Sequence, residues 1–364
     1  MYKLFPLLFF VFLFNKSSNS QTSDSTKVNS LEQNFSDSIA QINEQNEYLK
    51  ASRDAYNEGL ILLENENYSE AIPYFTKAID IDSIFLQAYL SRAKCYEKSD
   101  YDLAIADYLK TFDLDSTNFL SLYGIASLYL KTDKSLAVEM YITILSFKGD
   151  EYLAMSQLGV IAFIDEKYED AEQLFTQSLV INTNAYTLND RGSCYRKLDK
   201  FDLAINDYLA AIALNTNLAF IYSNLASIYA KQGEVDKALS YYDLAITKDA
   251  NYALAYNNKA SLLLDENEFE KAKIEIDRSL VANTEYAPAF NNKGVINHQM
   301  KKYNEAIAAF DKAIQFDVNY AKAYLNRGIS KQMIRDEDGA CLDWKKAKEL
   351  GIMMAKKYLV NDCE

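Results

Sequence analysis

Small residues mark this chain at a fixed period, and large apolar residues flank them at helical spacing. One small series is Ala71, Ala104, Ala137, Ala171, Ala204, Ala238, Ala272, Ala306 and Ala340, evenly spaced along the chain. A second precedes it by a nearly constant interval: Gly59, Ala93, Ala126, Gly159, Gly192, Ala226, Ala260, Gly294 and Gly328. Tyr222, Tyr256, Phe290 and Tyr324 stand four residues before the second series. Phe75, Tyr108, Tyr141, Phe175, Tyr208, Tyr242, Phe310 and Trp344 stand four after the first. Steps of three and four keep such residues on one helical face. Two helices cross closely only where side chains are small. The pattern therefore predicts about nine helix pairs over residues 51–350, helix A of each meeting its helix B at the two small positions.

Turn signals agree with that division. An aromatic ends most A–B turns (Tyr68, Tyr101, Tyr168, Phe201, Phe269, Tyr303), and Ser69, Asp102, Ser135, Asp202, Asp236, Asn304 and Asp338 are read as the capping starts of helices B. Asp82-Ser83 and Asn182-Thr183 read as turn formers between repeats. Repeats two and three lose one residue between their small positions, which predicts tighter A–B turns there.

Both ends depart from the repeat. Lys3, an apolar run from Leu4 to Phe14, and Ser18 and Ser20 make residues 1–20 a signal peptide with cleavage after Ser20. The run is short of the roughly 20 residues of a spanning helix, and the alternative is an uncleaved short anchor. Cys95 is the first cysteine, so no lipid-attachment cysteine lies nearby. The chain is thus expected to be exported to a periplasm, a cell envelope or the medium, with no transmembrane span once mature. Residues 21–50 read as a tether rich in Ser, Thr, Asn and Asp as far as Ser30, then a leading helix. The spacing of Leu31, Phe35, Ile39 and Ile42 gives that helix one apolar face, expected to cover the first surface of the array. Residues 351–364 read as a C-terminal capping helix: Gly351 stops the last helix B, and Ile352 to Val360 carries helical spacing. A return leg of that length brings Cys363 level with Cys341, so these two are expected to form a disulfide in an oxidising compartment. Two reduced thiols are the alternative. Cys95 and Cys194 fall three repeats apart at equivalent positions, out of mutual reach, and read as buried core thiols.

The clearest copies, AFIYSNLASIYAKQGEVDKALSYYDLAI from Ala219 and APAFNNKGVINHQMKKYNEAIAAFDKAI from Ala287, resemble the tetratricopeptide repeat family. The resemblance covers residues 52–350, although the proline usual near the repeat's end is missing. Gly339-Ala340-Cys341 and Asp343-Trp344-Lys345-Lys346-Ala347 look like the closing repeat of exported bacterial members. It implies an all-α, right-handed superhelical solenoid whose helices A line a concave groove, and a scaffold that binds other proteins.

Composition narrows the function further. With 10 Gly and 3 Pro in 364 residues, few positions demand unusual dihedrals. Lys plus Arg is 38 against 52 for Asp plus Glu, a net charge of -14, and no basic run offsets it, which argues against nucleic acid as a partner. His298, the only histidine, stands where other repeats carry ordinary residues, and a Ser–His or Cys–His nucleophile would have to use it. The cysteines have no C-x-x-C pairing, and no Gly-rich phosphate loop occurs. No catalytic residue, metal or cofactor is expected.

The groove carries the functional expectation. Asn224, Asn258, Asn292 and Asn326 recur once per repeat without a slip, two before the small position of helix A, and Asn57 repeats the choice. An Asn amide both donates and accepts, so such a ladder is suited to the backbone of an extended protein segment, and relatives that hold peptides carry asparagine at this position. Serving their own scaffold is the competing role. Asn257, Asn291, Ser223, Ser227, Ser261 and Val295 are expected beside them, with Phe163 and Ile164 making repeat four more apolar. Lys322 matches one position of the lysine-rich clamp of some relatives, but Asn326 stands where another would be. Two roles follow: an adaptor that holds an extended segment in an envelope complex, or a structural protein that forms a homo-oligomer through its outer faces or ends.

Overall fold

The computed structural model describes residues 24–363, which form helices joined by short turns, without a strand among the described residues. One compact unit ends at Met140 and the other runs from Tyr141. The first holds α1 (Asp24–Glu64), α2 (Tyr68–Ile81), α3 (Leu86–Tyr96), α4 (Tyr101–Leu114), α5 (Phe119–Thr132) and the start of α6 (Lys134–Phe147). The second continues with α7 (Tyr152–Ile164), α8 (Tyr168–Ile181), α9 (Ala185–Lys197), α10 (Phe201–Leu214), α11 (Ala219–Lys231) and α12 (Val235–Lys248). It closes with α13 (Ala253–Asp265), α14 (Phe269–Ala282), α15 (Ala287–Gln299), α16 (Tyr303–Phe316), α17 (Ala321–Met333), α18 (Glu337–Glu349) and α19 (Ala355–Asp362). Odd-numbered helices up to α17 are the helices A, and each packs on the helix B that follows it in α1–α4 and α7–α18.

The small positions do what their spacing demands. A Cβ on Gly159 would lie 2.7 Å from the ring of Phe175, and one on Gly192 would lie 2.9 Å from that of Tyr208. Phe75, Phe175, Tyr208, Phe310 and Trp344 are almost wholly buried at these crossings, each against the glycine of the facing helix A, Gly59, Gly159, Gly192, Gly294 and Gly328. Buried aromatic area at these crossings stabilises the repeats that carry it.

Between repeats, a side chain replaces the missing proline. The Asp82 carboxylate accepts from the Ile84 N–H at 3.2 Å, and Asp115, Asn215, Asp249, Asn283 and Asp317 repeat the bond to the residue two further on. These local turns stop helix B and set the start of the next helix A. Within repeats, the turn residues Glu66, Glu166, Asp199, Asn267, Lys301 and Arg335 take positive φ, as does Gly233. The residue lost in repeat three leaves Asp133 alone between α5 and α6, the tighter turn expected there. In repeat two it is taken from helix A instead: α3 stops at Tyr96 and a four-residue turn follows.

Three expectations are corrected. Each helix B begins one residue earlier than expected, so Ser69, Asp102, Ser135, Asp202, Asp236, Asn304 and Asp338 lie inside the first turn. The preceding residue is the cap, and Asp100 and Asp336 accept backbone N–H bonds there. The tether and leading helix are not separate elements. Residues 24–30 are already helical and α1 runs unbroken into helix A of the first repeat, because nothing between Asp24 and Glu64 is a Gly or Pro that would stop it, apart from Gly59 at the crossing. Its residues do not cover the array either: Phe35, Ile39 and Ile42 are exposed. At the other end α19 starts at Ala355 rather than Ile352. Gly351, at φ +96°, ends α18, and the Ile352 N–H turns back to the Ala347 carbonyl at 2.9 Å. The expected signal peptide, residues 1–20, lies outside the described residues.

α19 packs against α18, with Tyr358 stacked on Trp344 at 4.9 Å between centroids and Ala355 buried beneath. Cys341 and Cys363 are joined in a disulfide with Cα atoms 5.8 Å apart.

Candidate functional site

In the unit from Tyr141 onward, each helix A from α7 to α17 touches the next helix A, while successive helices B make no comparable contact among the described residues. The stack is closed on the helix A side. The expected site residues other than Asn57, which is exposed on α1 in the other unit, all lie here.

The asparagines are brought together, and largely by each other. Asn326 donates to Asn291 at 2.9 Å, Asn291 to Asn292 at 3.3 Å, Asn292 to Asn257 at 2.9 Å, and Asn257 to Asn258 at 3.4 Å. Five amides from three repeats thus form one directed hydrogen-bonded chain. It stops at Asn258, because the residue 35 positions earlier is Ser223, too short to continue it. A second, shorter chain runs Asn224 to Asn189 at 2.9 Å and Asn189 to the Asp190 carboxylate at 3.0 Å. Asp190 holds the ladder position of its repeat, and burial raises its carboxyl above the ordinary range. Asn257 and Asn291 are buried, so their oxygens need these partners. The Asn258 amide nitrogen donates to no described residue.

Asn258 opens instead into a cleft of about 360 Å³, lined by Ser227, Lys231, Tyr242, Ser261, Leu262 and Asp265 among others. Ser227 spends its hydroxyl on the Asn224 carbonyl at 2.7 Å. The cleft therefore unites three of the expected residues, Asn258, Ser227 and Ser261, with a cation, a carboxylate and a phenol ring.

A second row was not anticipated. Leu153, Tyr186, Phe220, Leu254 and Pro288 stand one helical turn before the ladder residues, on the same face of their helices. Tyr186 is 58 % exposed and stacks on Phe220 at 6.1 Å, and Leu153 and Leu254 are exposed as well. Lys322, also exposed, takes the equivalent place in the last repeat. The repeat period was present at these positions in the sequence; the signal was hidden because the residue types vary. Phe163 does not join this face, since it packs edge-on against Tyr168 at 5.3 Å at its own A–B turn.

The residue just before the small position of helix A was also overlooked. Arg191 pairs with both oxygens of Asp207 at 2.8 Å and reaches Thr176 of the previous helix B at 3.2 Å. Arg92 does the same with Asp107 and Thr76, and Arg327 with Asp343 and Asp311. Lys259 bridges Asp243 and Glu275. Through Thr76, Thr176, Asp311 and Asp243 these side chains join one repeat to the next.

His298 is part of the scaffold: Nδ1 lies 2.9 Å from the Ser330 hydroxyl on the next helix A, and the ring meets Tyr303 edge-on. Burial lowers its pKa. Cys95 and Cys194 are buried free thiols, pushed by desolvation to about 11 and about 12. Among the described residues no group of three or more His, Cys, Asp or Glu is placed to hold a metal, and no helix is long and apolar enough to cross a membrane.

Stacked two-helix repeats, with successive helices A in contact from α7 to α17, define an all-α repeat solenoid. The chain belongs to the tetratricopeptide repeat family: family models described as tetratricopeptide repeat match residues 56–119, 221–251 and 287–320, and one described as TPR repeat matches 192–233. A tetratricopeptide repeat protein from Parabacteroides merdae is similar in fold, with a TM-score of 0.55 at 18 % identity over 66 % of this chain and 97 % of that one. The Cut9–Hcn1 hetero-tetramer of the APC/C is similar too, with a TM-score of 0.58 at 12 % identity over 86 % and 76 % of the two chains. No curated protein gives a significant sequence match. Membership in this family makes the chain a protein-interaction scaffold.

Proposed function

We propose that this protein is an exported, non-enzymatic adaptor that holds an extended segment of another protein on the helix A face of residues 141–364. The observation that carries the reading is the pairing of two parallel rows on one face: amides along Asn224, Asn258, Asn292 and Asn326, and apolar side chains along Leu153, Tyr186, Phe220 and Leu254. An extended segment has unpaired backbone donors and acceptors along its length, and its side chains need apolar contacts of their own. Mutual bonding does not exhaust the amides. Each has two N–H donors and two acceptor lone pairs, and the chain uses about half of them. Locking the amides to each other fixes their orientation before a partner arrives, which lowers the ordering cost of binding. Asn258 is the place where that capacity is most open.

Site-directed photocrosslinking tests the reading. A photoreactive residue at Leu254 or Ser261, in the native host, is expected to capture one contiguous stretch of a partner. The same probe at Lys273, exposed on helix B, is expected to capture none of it. Crosslinks confined to Lys273 would overturn the proposal. The export part is tested by intact mass of the protein from its native compartment, with a first residue of Gln21 expected; a retained Met1 would indicate an anchor instead.

A further inference from the structure

The first half of α1 has an apolar face that no described residue of its own chain covers. Phe35, Ile42, Leu49 and Tyr56 recur every seven residues along it. The C-terminal end of this row is built into the first repeat: Tyr56 meets Phe75 at 5.7 Å and Phe85 at 4.9 Å. The other end is bare. Phe35 is 67 % exposed and Ile42 57 %, and Ile39 and Tyr48, which flank the row, are exposed as well. Apart from Leu49, which is half-buried, every residue from Gln33 to Lys50 is exposed.

We propose that this face pairs with the same face of a second copy of the chain, as a two-helix coiled coil. The seven-residue period is the first argument. It fits a partner helix of like period, because a straight stripe of that spacing meets another only by mutual supercoiling. The second argument is length. The later helices of the described chain are much shorter than α1, too short to cover it, and those of the repeats are already packed in pairs. A second α1 is equal in length and always present in equal amount. The third is charge. With Phe35 and Ile42 at the central positions, the contact face from residue 33 to 49 includes Asn34, Ser38, Ile39, Gln41, Gln45, Asn46 and Tyr48, and no charged residue. Asp37, Glu44 and Glu47 all fall on the outer positions. Two identical helices therefore meet without like-charge repulsion, although the chain as a whole carries -14.

The area is sufficient. Phe35, Ile39, Ile42 and Tyr48 leave roughly 400 Å² of apolar surface bare on each copy, and with the stems of Ser38, Gln41 and Gln45 a pair passes the roughly 1,000 Å² of a specific interface. The inference is independent of the groove.

Sedimentation equilibrium of the full chain at micromolar concentration tests it. Twice the protomer mass is expected, falling to a single mass in the Phe35→Glu/Ile42→Glu variant with the thermal unfolding of the repeats unchanged. The outer-face variant Ser36→Glu/Asn43→Glu is expected to keep twice the mass. A single mass for the unsubstituted chain would overturn the proposal. So would a double mass that survives Phe35→Glu/Ile42→Glu, or one lost equally in the outer-face variant.

Discussion

Glu166 sits at φ +60° in an exposed turn, a conformation that costs a residue with a Cβ about 1–2 kcal/mol relative to the right-handed region. Gly233 fills the same turn position in repeat six without that cost, and Glu66 and Lys301 share the strain of Glu166. Replacing Glu166 with Gly is therefore expected to stabilise the fold by up to about 1 kcal/mol, the chain-entropy cost of Gly offsetting part of the relief. A higher urea midpoint for Glu166→Gly checks this. His298 gives a second test at this scale. Its pKa is lowered because burial disfavours the charged ring. The stability linked to its neutral form is complete above the unfolded value near ~6.5 and is lost as the pH falls through the lowered folded value. The urea-midpoint advantage of the native chain over His298→Gln should therefore shrink between about pH 7.5 and about pH 5. An unchanged gap would contradict the assignment. The sequence made some of this legible and not the rest. Small residues at fixed spacing located the crossings, because only Gly or Ala leaves room for the rings opposite. Burial of His298 was not visible, since neighbouring repeats carry other residues there. The left-handed turn residues were hidden for a simpler reason: five of them are charged, a type rarely chosen for that conformation.

Neighbouring repeats are tied to one another by polar links between successive helices. The Asn326–Asn291–Asn292–Asn257–Asn258 chain links α17, α15 and α13. Asn292→Ala would leave the buried Asn257 oxygen without its donor, at a cost of about 1–3 kcal/mol. Asn258→Ala removes only a long 3.4 Å bond at the end of the chain and is expected to cost under about 1 kcal/mol. Urea unfolding of the two variants separates the scaffold role from the binding role, and equal losses would contradict the chain's direction. The ladder's period could be read from sequence, but not its pairing: which amides meet depends on the rise and rotation between successive helices A. The Arg–Asp forks were equally readable at 15 to 16 residues and were passed over, because charged residues on helices usually face water. At the C-terminal end, the Cys341–Cys363 link closes α19 onto α18. Reducing it is expected to destabilise the last repeat by roughly 3 kcal/mol in the chain-entropy model. Peptide mapping without prior reduction should find Cys341 and Cys363 protected from alkylation as a pair, and Cys95 and Cys194 as slow, buried thiols. Alkylation of Cys341 and Cys363 before reduction would contradict the link.

At the scale of the molecule, repetition lets one short set of rules build many helix pairs. Each helix pair buries its own crossing, each Asx turn resets the next helix, and the helix A face repeats with the period of the chain. The period gave away the fold, because a regular repeat of that length with paired small positions leaves little choice of architecture. The N-terminal helix was harder to place. Its apolar spacing is clear in the sequence, but spacing says that a face exists and not what covers it, and the array does not. The same limit applies to function. The exposed side chains of the helix A face, such as Tyr186 and Leu254, are not needed to build the crossings, so the identity of the partner is written in a surface rather than in a motif. The central claim is that this face, and Asn258 with Leu254 in particular, holds an extended protein segment. It is tested most directly by the affinity of the full chain for the partner segment that photocrosslinking defines. Leu254→Ser together with Asn258→Ala should weaken that affinity by tenfold or more with the helical array intact by circular dichroism, on the basis of about 1.4 kcal/mol per factor of ten. An affinity unchanged by both substitutions would contradict the account.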